Sequence, residues 1–203
     1  WTREDDLQSS YYHSVAAHRL EAGLDAQGAV VAWRHRSAYP AISATFAPGV
    51  AGPEADDLSN GARDIPYAIP NLSVEVCPAV AHTRIGWFRS VNAIHHGFAI
   101  GSFVDEMAQA TGKDPVQFLL ALIGPDRKVD LSLAGLTAPA SNYGATWSDY
   151  PMDSARAKGV VRLAAEKSGW GGALPKGRGR GMATHRSFLS YVAVVVEVAV
   201  LGD

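Results

Sequence analysis

An arginine with no obvious partner opens the chemical question. In Trp87–Phe88–Arg89–Ser90–Val91–Asn92, Arg89 sits between an aromatic pair and the start of an amphipathic helix, with no acidic residue close by in the sequence. Helix N-termini carry unsatisfied N–H groups and a partial positive charge, so they favour anions. A guanidinium on the adjoining loop adds planar, bidentate geometry to such a site. The plainer alternative is a solvated arginine whose stem packs on Trp87. The residues alone leave both readings open.

Other chemistry-bearing residues give less. His95 and His96 are adjacent on the same helix and point about 100° apart, which is poor geometry for sharing one metal ion. His13 and His18 are read across strand faces, and no metal centre built from histidine side chains is expected. Gly177–Arg178–Gly179–Arg180–Gly181 resembles a dinucleotide loop only superficially: it follows a helix and feeds a strand, the reverse of what such a loop needs. Arg3–Glu4–Asp5–Asp6 reads as a solvated charge run or as carboxylates near a site. No serine stands in a nucleophile-elbow pattern.

The elements that would position these groups follow from periodicity. His13–Asp25 and Val30–Tyr39 flank a turn at Gly28 and predict a β-hairpin. On it, His18, Glu21, Arg34 and Arg36 are expected as cross-strand partners on a solvated face. Residues 47–63 are rich in Gly, Pro, Asp and Asn and read as a loop. Leu72, Val74 and Val76 alternate in an extended segment. From 93 the spacing turns helical through Ala99, Ile100, Phe103, Val104 and Met107, and Gly112 ends the helix. Asp114–Pro115 opens a second helix. Asp153 caps a third, with Val160, Val161, Leu163 and Ala164 as its apolar face and an end near Gly169. The stretch between them is a long linker with a domain boundary inside it. Residues 169–181 read as a glycine-rich loop before a final strand. Strands alternate with helices, so the class is α+β (mixed α/β).

The chain has 203 residues, a formal charge of −2 and 47% hydrophobic residues, enough for a substantial core. So balanced a charge gives no reason to expect nucleic acid. The single cysteine, Cys77, excludes an internal disulfide framework and a cysteine-built metal cluster within this chain, and is read as a small buried hydrophobe. The apolar run Tyr191–Leu201 is too short to cross a bilayer, which takes about 20 residues, and is expected to have strand neighbours on both sides. The opening WTREDD lacks an initiator methionine and a signal-like segment, so the chain is read as an internal piece of a longer protein.

Taken in order, WTREDDLQ, AHRLEAGLDAQGAVVAWRHR, IPNLSVEV, GWFRSVNAIHHGFAIGSFVDEMAQATGKDPVQFLLALI and GRGRGMATHRSFLSYVAVVVEVAV resemble the molybdenum-cofactor-binding large subunit of the xanthine dehydrogenase family. The branch is that of isoquinoline 1-oxidoreductase β-subunits and bacterial aldehyde dehydrogenases. The resemblance implies that residues 1–130 are the C-terminal part of a first molybdopterin-binding domain. Residues 131–203 would then be a linker and the start of a second.

It also implies roles. Phe88, Arg89, Ser90, Val91, Asn92 and His95 would lie against the cofactor, and Glu4 would help orient substrate. Asn92 stands where relatives usually have glycine, His95 where xanthine dehydrogenases proper have glutamine, and Arg186 where this branch often has glutamate. No catalytic residue is expected here: the base glutamate lies downstream, so this piece alone would be inactive. The implied activity is oxidation of an aldehyde or aromatic N-heterocycle with water as oxygen source. The implied cofactor is molybdopterin in its cytosine dinucleotide form, with iron–sulfur clusters on a separate small subunit, a cytochrome c as acceptor and a small-molecule substrate. Members of this branch are bacterial, periplasmic or cytoplasmic. The alternative is a non-catalytic anion-binding or scaffold domain of the same fold.

Overall fold

Alternation in two neighbouring runs builds the first sheet. A computed structural model describes residues 1–131 and 140–200. Strand β1 (Ala17–Leu24) pairs antiparallel with β2 (Val30–Tyr39), and Gly28 takes the left-handed conformation (φ 70°) that the turn requires. Strand β3 (Asn71–Pro78) adds parallel to β2, giving the order β1-β2-β3. One face is solvated: Arg36 Nε meets Glu75 at 2.6 Å, while Arg34 bridges Glu75 (3.4 Å) and Glu21 (3.7 Å). Exposed pairs of this kind stabilise by less than about 1 kcal/mol each. His18 is not on that face. The two-residue period puts it with Leu20 and Ala22 beneath the sheet, beside Trp33, His35, Ser37 and Tyr39, all four of which are buried.

The helices follow their caps. Helix α1 (Arg3–Ser9) is closed by a Thr2–Asp5 capping box and buries no side chain. Helix α2 (Ala93–Ala110) buries Ile100, Val104, Met107 and Ala108 and ends before Gly112 (φ 65°). In α3 (Pro115–Ile123) the Asp114 carboxylate accepts the Gln117 N–H at 2.9 Å, with proline in the first turn. A two-residue ladder joins β4 (Lys128–Val129) to β5 (Met152–Asp153). Asp153 caps α4 (Ser154–Lys167), which ends before Gly169 (φ 63°). The face that α4 buries differs from expectation. Ser154, Ala157, Lys158 and Val161 point inward at helical spacing, while Leu163 is 53% exposed. Lys158 is tolerated there because its Nζ donates to the Gly124 carbonyl (2.9 Å) and pairs with Asp126.

Three further expectations are corrected. Gly177–Gly181 is not a loop: β6 (Arg178–Ser187) runs through it and pairs antiparallel with β7 (Ser190–Ala199). Arg178 and Arg180 each meet Glu197, at 2.7 and 2.9 Å, so the two arginines are cross-strand partners. Strand β7 has one strand neighbour among the described residues, and Val192, Val194, Val196 and Val198 are each more than half exposed. Cys77 is exposed, because it lies at the end of β3 where the burial pattern has run out.

The main core joins Trp33, Ile65 and Tyr67 to α2, α3 and α4, with Met182, Tyr191 and Ala193 of β6 and β7 packed against it. A buried polar cluster ties β6 to two loops. Arg186 lies 3.5 Å from Asp64 and donates to Asn142 Oδ1 at 2.6 Å, and Tyr143 Oη donates to Asp64 at 3.1 Å.

Candidate functional site

The Arg89 turn is fastened at its base. A parallel bridge joins Tyr12 to Ile85, with Tyr12 N–H on the Arg84 carbonyl (3.0 Å) and Gly86 N–H on the Tyr12 carbonyl (3.1 Å). Arg84 donates to the carbonyls of Ser10 and Gln8, which clamps the end of α1 to the same base. Gly86 is required by close approach: a Cβ there would fall 2.5 Å from the Tyr11 ring. Above it, exposed aromatic rings form a ladder. Tyr11 contacts Phe46 (centroids 5.2 Å apart), which stacks on Trp87 at 4.7 Å, and Phe88 lies 6.0 Å from His13.

Arg89 is exposed and has no hydrogen bond or ion pair among the described residues. It is followed by Ser90 (φ 67°) and Val91 (φ 50°), both in the left-handed region. For β-branched valine that conformation is a genuine outlier, and such strain collects at ligand clamps. Val91→Gly is therefore expected to raise stability by about 1 kcal/mol, the relief of strain exceeding glycine's entropy cost. Urea unfolding measures it, and a destabilised variant would show that the turn is not strained.

Helix α2 then starts at Ala93 with no acidic residue in its first turn and no side-chain cap from Asn92. The Asn92 amide is buried: Nδ2 reaches Asp57 at 3.4 Å, and Oδ1 has no partner. That orphan is an acceptor, so the Asn92 side chain adds nothing to an anion site. The turn's cationic contribution comes from Arg89 and the helix start.

Of the residues singled out by resemblance, Phe88 to Asn92 thus share one turn. His95 lies one helical turn on, half-buried, its Nδ1 directed at His18 Nε2 (3.2 Å) and its ring 4.8 Å from that of Tyr39. Glu4 is exposed in the first turn of α1, where backbone N–H donation holds its carboxyl below the usual range.

The sequence reading missed a histidine cluster. His18 Nδ1 lies 3.0 Å from His35 Nε2 and 3.2 Å from Ser37 Oγ, and Ser37 Oγ is 3.4 Å from His96 Nε2. His96 Nδ1 faces the Asn60 carbonyl at 3.0 Å and so carries the ring proton. Burial, reinforced by neighbouring imidazoles, lowers His35 to about 4, His95 to about 3 and His96 to about 2. His18 is also lowered by burial. All four rings are neutral at pH 7.

Adjacency on α2 argues against a shared site, yet the rings of His95 and His96 come within 4.4 Å and both contact His18. The 100° angle applies at the backbone. The imidazoles reach back to one strand residue lying across the helix. The available signal was the alternation His18–Leu20 against His35–Ser37, which puts those polar groups on the inner face.

No family model matches the chain. It is 30% identical over 136 residues, 64% of its length, to one of the subunits of nicotinate dehydrogenase from Pseudomonas putida. It is 30% identical over 192 residues, 90% of its length, to the membrane-bound aldehyde dehydrogenase [pyrroloquinoline-quinone] of Gluconacetobacter polyoxogenes. Over 166 residues it is 26% identical to the β-subunit of isoquinoline 1-oxidoreductase from Brevundimonas diminuta. The chain spans 12%, 23% and 20% of these relatives. Its fold matches part of the aldehyde oxidoreductase of Desulfovibrio gigas with a TM-score of 0.52 and 15% identity, covering 91% of this chain and 19% of that one.

The fold is thus an α+β piece of the kind found in that aldehyde oxidoreductase. By sequence the chain is similar over most of its length to parts of larger oxidoreductase chains, among them the β-subunit of isoquinoline 1-oxidoreductase and a bacterial aldehyde dehydrogenase.

Proposed function

We propose that this chain forms part of the cofactor cradle of a molybdenum hydroxylase that oxidises an aldehyde or an aromatic N-heterocycle, with water as the oxygen source. The observation that carries the reading is Arg89: exposed, without an ionic partner among the described residues, in a strained turn that leads into a helix with no acidic residue in its own first turn. The residues present fit an anionic, ring-bearing cofactor. The guanidinium and the N–H groups of α2's first turn beyond Ala93, whose own N–H donates to the Ser90 carbonyl at 2.9 Å, would hold its charged oxygens. The Trp87–Phe88 edge would exclude water from one side. His95 and Glu4 would come next, Glu4 as a carboxylate orienting substrate. When bound, the molybdenum cofactor supplies the two-electron redox chemistry.

On this reading residues 1–130 close the first molybdopterin-binding domain and 131–203 lead into the second. The cofactor is the cytosine dinucleotide form, and electrons leave through an iron–sulfur small subunit to a cytochrome c. Two of the relatives are named as subunits, which supports a partner chain. The Gluconacetobacter relative is named for pyrroloquinoline quinone, also an anion, so the test must read the metal.

Arg89→Ala, made in the longer polypeptide, is expected to lower molybdenum content and turnover together by roughly 10- to 100-fold, the value of a charge-assisted bidentate contact. Unchanged molybdenum and unchanged turnover would reject the cradle.

A further inference from the structure

We propose a second site, a transition-metal site built by His18, His95 and His96 at the floor of a surface cleft. One ring nitrogen from each of these residues lies within 4.8 Å of the others. Imidazole is a ligand for zinc, copper and nickel, and no carboxylate is needed to complete a three-nitrogen set.

Two features suit this group to a metal ion. The first is spacing. Two nitrogens bound to one tetrahedral zinc at 2.0–2.1 Å stand about 3.3 Å apart, and His18 Nε2 and His95 Nδ1 are 3.2 Å apart. The second is the outer support. Ligating histidines commonly donate their other N–H to a fixed acceptor. His96 does so through Nδ1 to the Asn60 carbonyl, which leaves Nε2 as a lone pair. His18 Nδ1 has His35 Nε2 at 3.0 Å, which leaves its own Nε2 turned to His95.

Access is built in. His18 and His95 line a cleft of about 490 Å³ with Ala16, Phe98 and Ser102, and Glu106 stands on its wall. Three protein nitrogens leave one coordination position open toward that cleft, where water or a small ligand would complete the shell. The site shares His95 with the cradle reading but does not depend on it.

The test is equilibrium dialysis of the 203-residue chain against Zn²⁺ at pH 7.5, with metal measured by mass spectrometry. One Zn²⁺ per chain is expected, with affinity at least tenfold weaker in His18→Gln and His95→Ala and unchanged in His82→Ala, an exposed histidine outside the cluster. Circular dichroism of each variant separates ligand loss from unfolding. Co²⁺ bound to the unaltered chain should show the intense visible bands of a four-coordinate site, a readout that needs no variant. A chain that retains no Zn²⁺, equal affinity in His18→Gln, or an octahedral Co²⁺ spectrum would each overturn the proposal. Molybdenum loading of the longer polypeptide is a separate measurement, so failure of one reading does not decide the other.

Discussion

Asp64→Ala should destabilise the fold by about 3–5 kcal/mol, the usual cost of leaving a buried charge without its counterion. Asp64 is wholly buried, and burial raises its carboxyl to about 6 against the opposing pull of the Gly61 N–H, Arg186 and Tyr143. It is therefore ionised at neutral pH. Its removal strands the Arg186 guanidinium, which is 2% exposed and sits 5.2 Å from the Trp147 ring centroid. Asn142 Oδ1 at 2.6 Å is a neutral acceptor and cannot replace the lost charge. Pairing the change with Arg186→Met should recover most of the loss, since a buried pair exchanged for an apolar side chain is often near neutral. Urea unfolding at pH 7.5 decides it. A single variant within 1 kcal/mol of the parent, or a double variant worse than the single, would show that the pair does not hold β6 to the two loops.

This pair also marks the limit of what the sequence discloses. The β1–β2 hairpin, the two helices opened by Asp114–Pro115 and Asp153, and the glycine-terminated ends of α2 and α4 are legible because each is specified within a few residues, by a cap, a turn or a period. The contact between Asp64 and Arg186 joins positions 122 apart, and no local pattern encodes it. Arg186 stands out in the sequence only as a departure from the family's usual glutamate. In the fold it is a buried cation with its own carboxylate.

Three misreadings have local causes. The Phe188–Leu189 turn (φ 46° and 64°) joins β6 to β7 without glycine or asparagine, so the hairpin carries no turn signal. Gly177–Gly181 looks like a loop by composition, yet Arg178 and Arg180 are held in strand register by Glu197. Hydrophobicity assigns Leu163 to the apolar face of α4, where the small and amphipathic side chains Ala157 and Lys158 do the packing. The chemistry divides in the same way. Arg89 stands out because its lack of a nearby acid is visible in the sequence. The histidine cluster needs a strand register and a helix position at once.

That cluster gives the second large effect, acid lability of the metal-free chain. His35 and His96 are fully buried and His95 half-buried, and burial holds all three neutral well below the value of an unfolded histidine. Below about pH 6.5 the unfolded chain takes up protons at these positions that the folded chain refuses. Stability is therefore present above 6.5 and falls as pH falls, by up to about 1.4 kcal/mol per unit for each ring. Asp64 acts in the opposite sense. Raised to about 6, it favours the folded state as pH drops from 6 toward 4 and offsets about one ring's loss. The remaining two rings set a net fall on the order of 3 kcal/mol between pH 6.5 and pH 5. Unfolding by urea in the presence of a chelator, repeated across that range, should show it, with uptake of about two protons on unfolding at pH 5. A flat profile would mean that the rings titrate normally and are not sealed between β1, β2 and α2. Zn²⁺ in place of chelator should steepen the loss, because protons then compete with the ion for the same lone pairs.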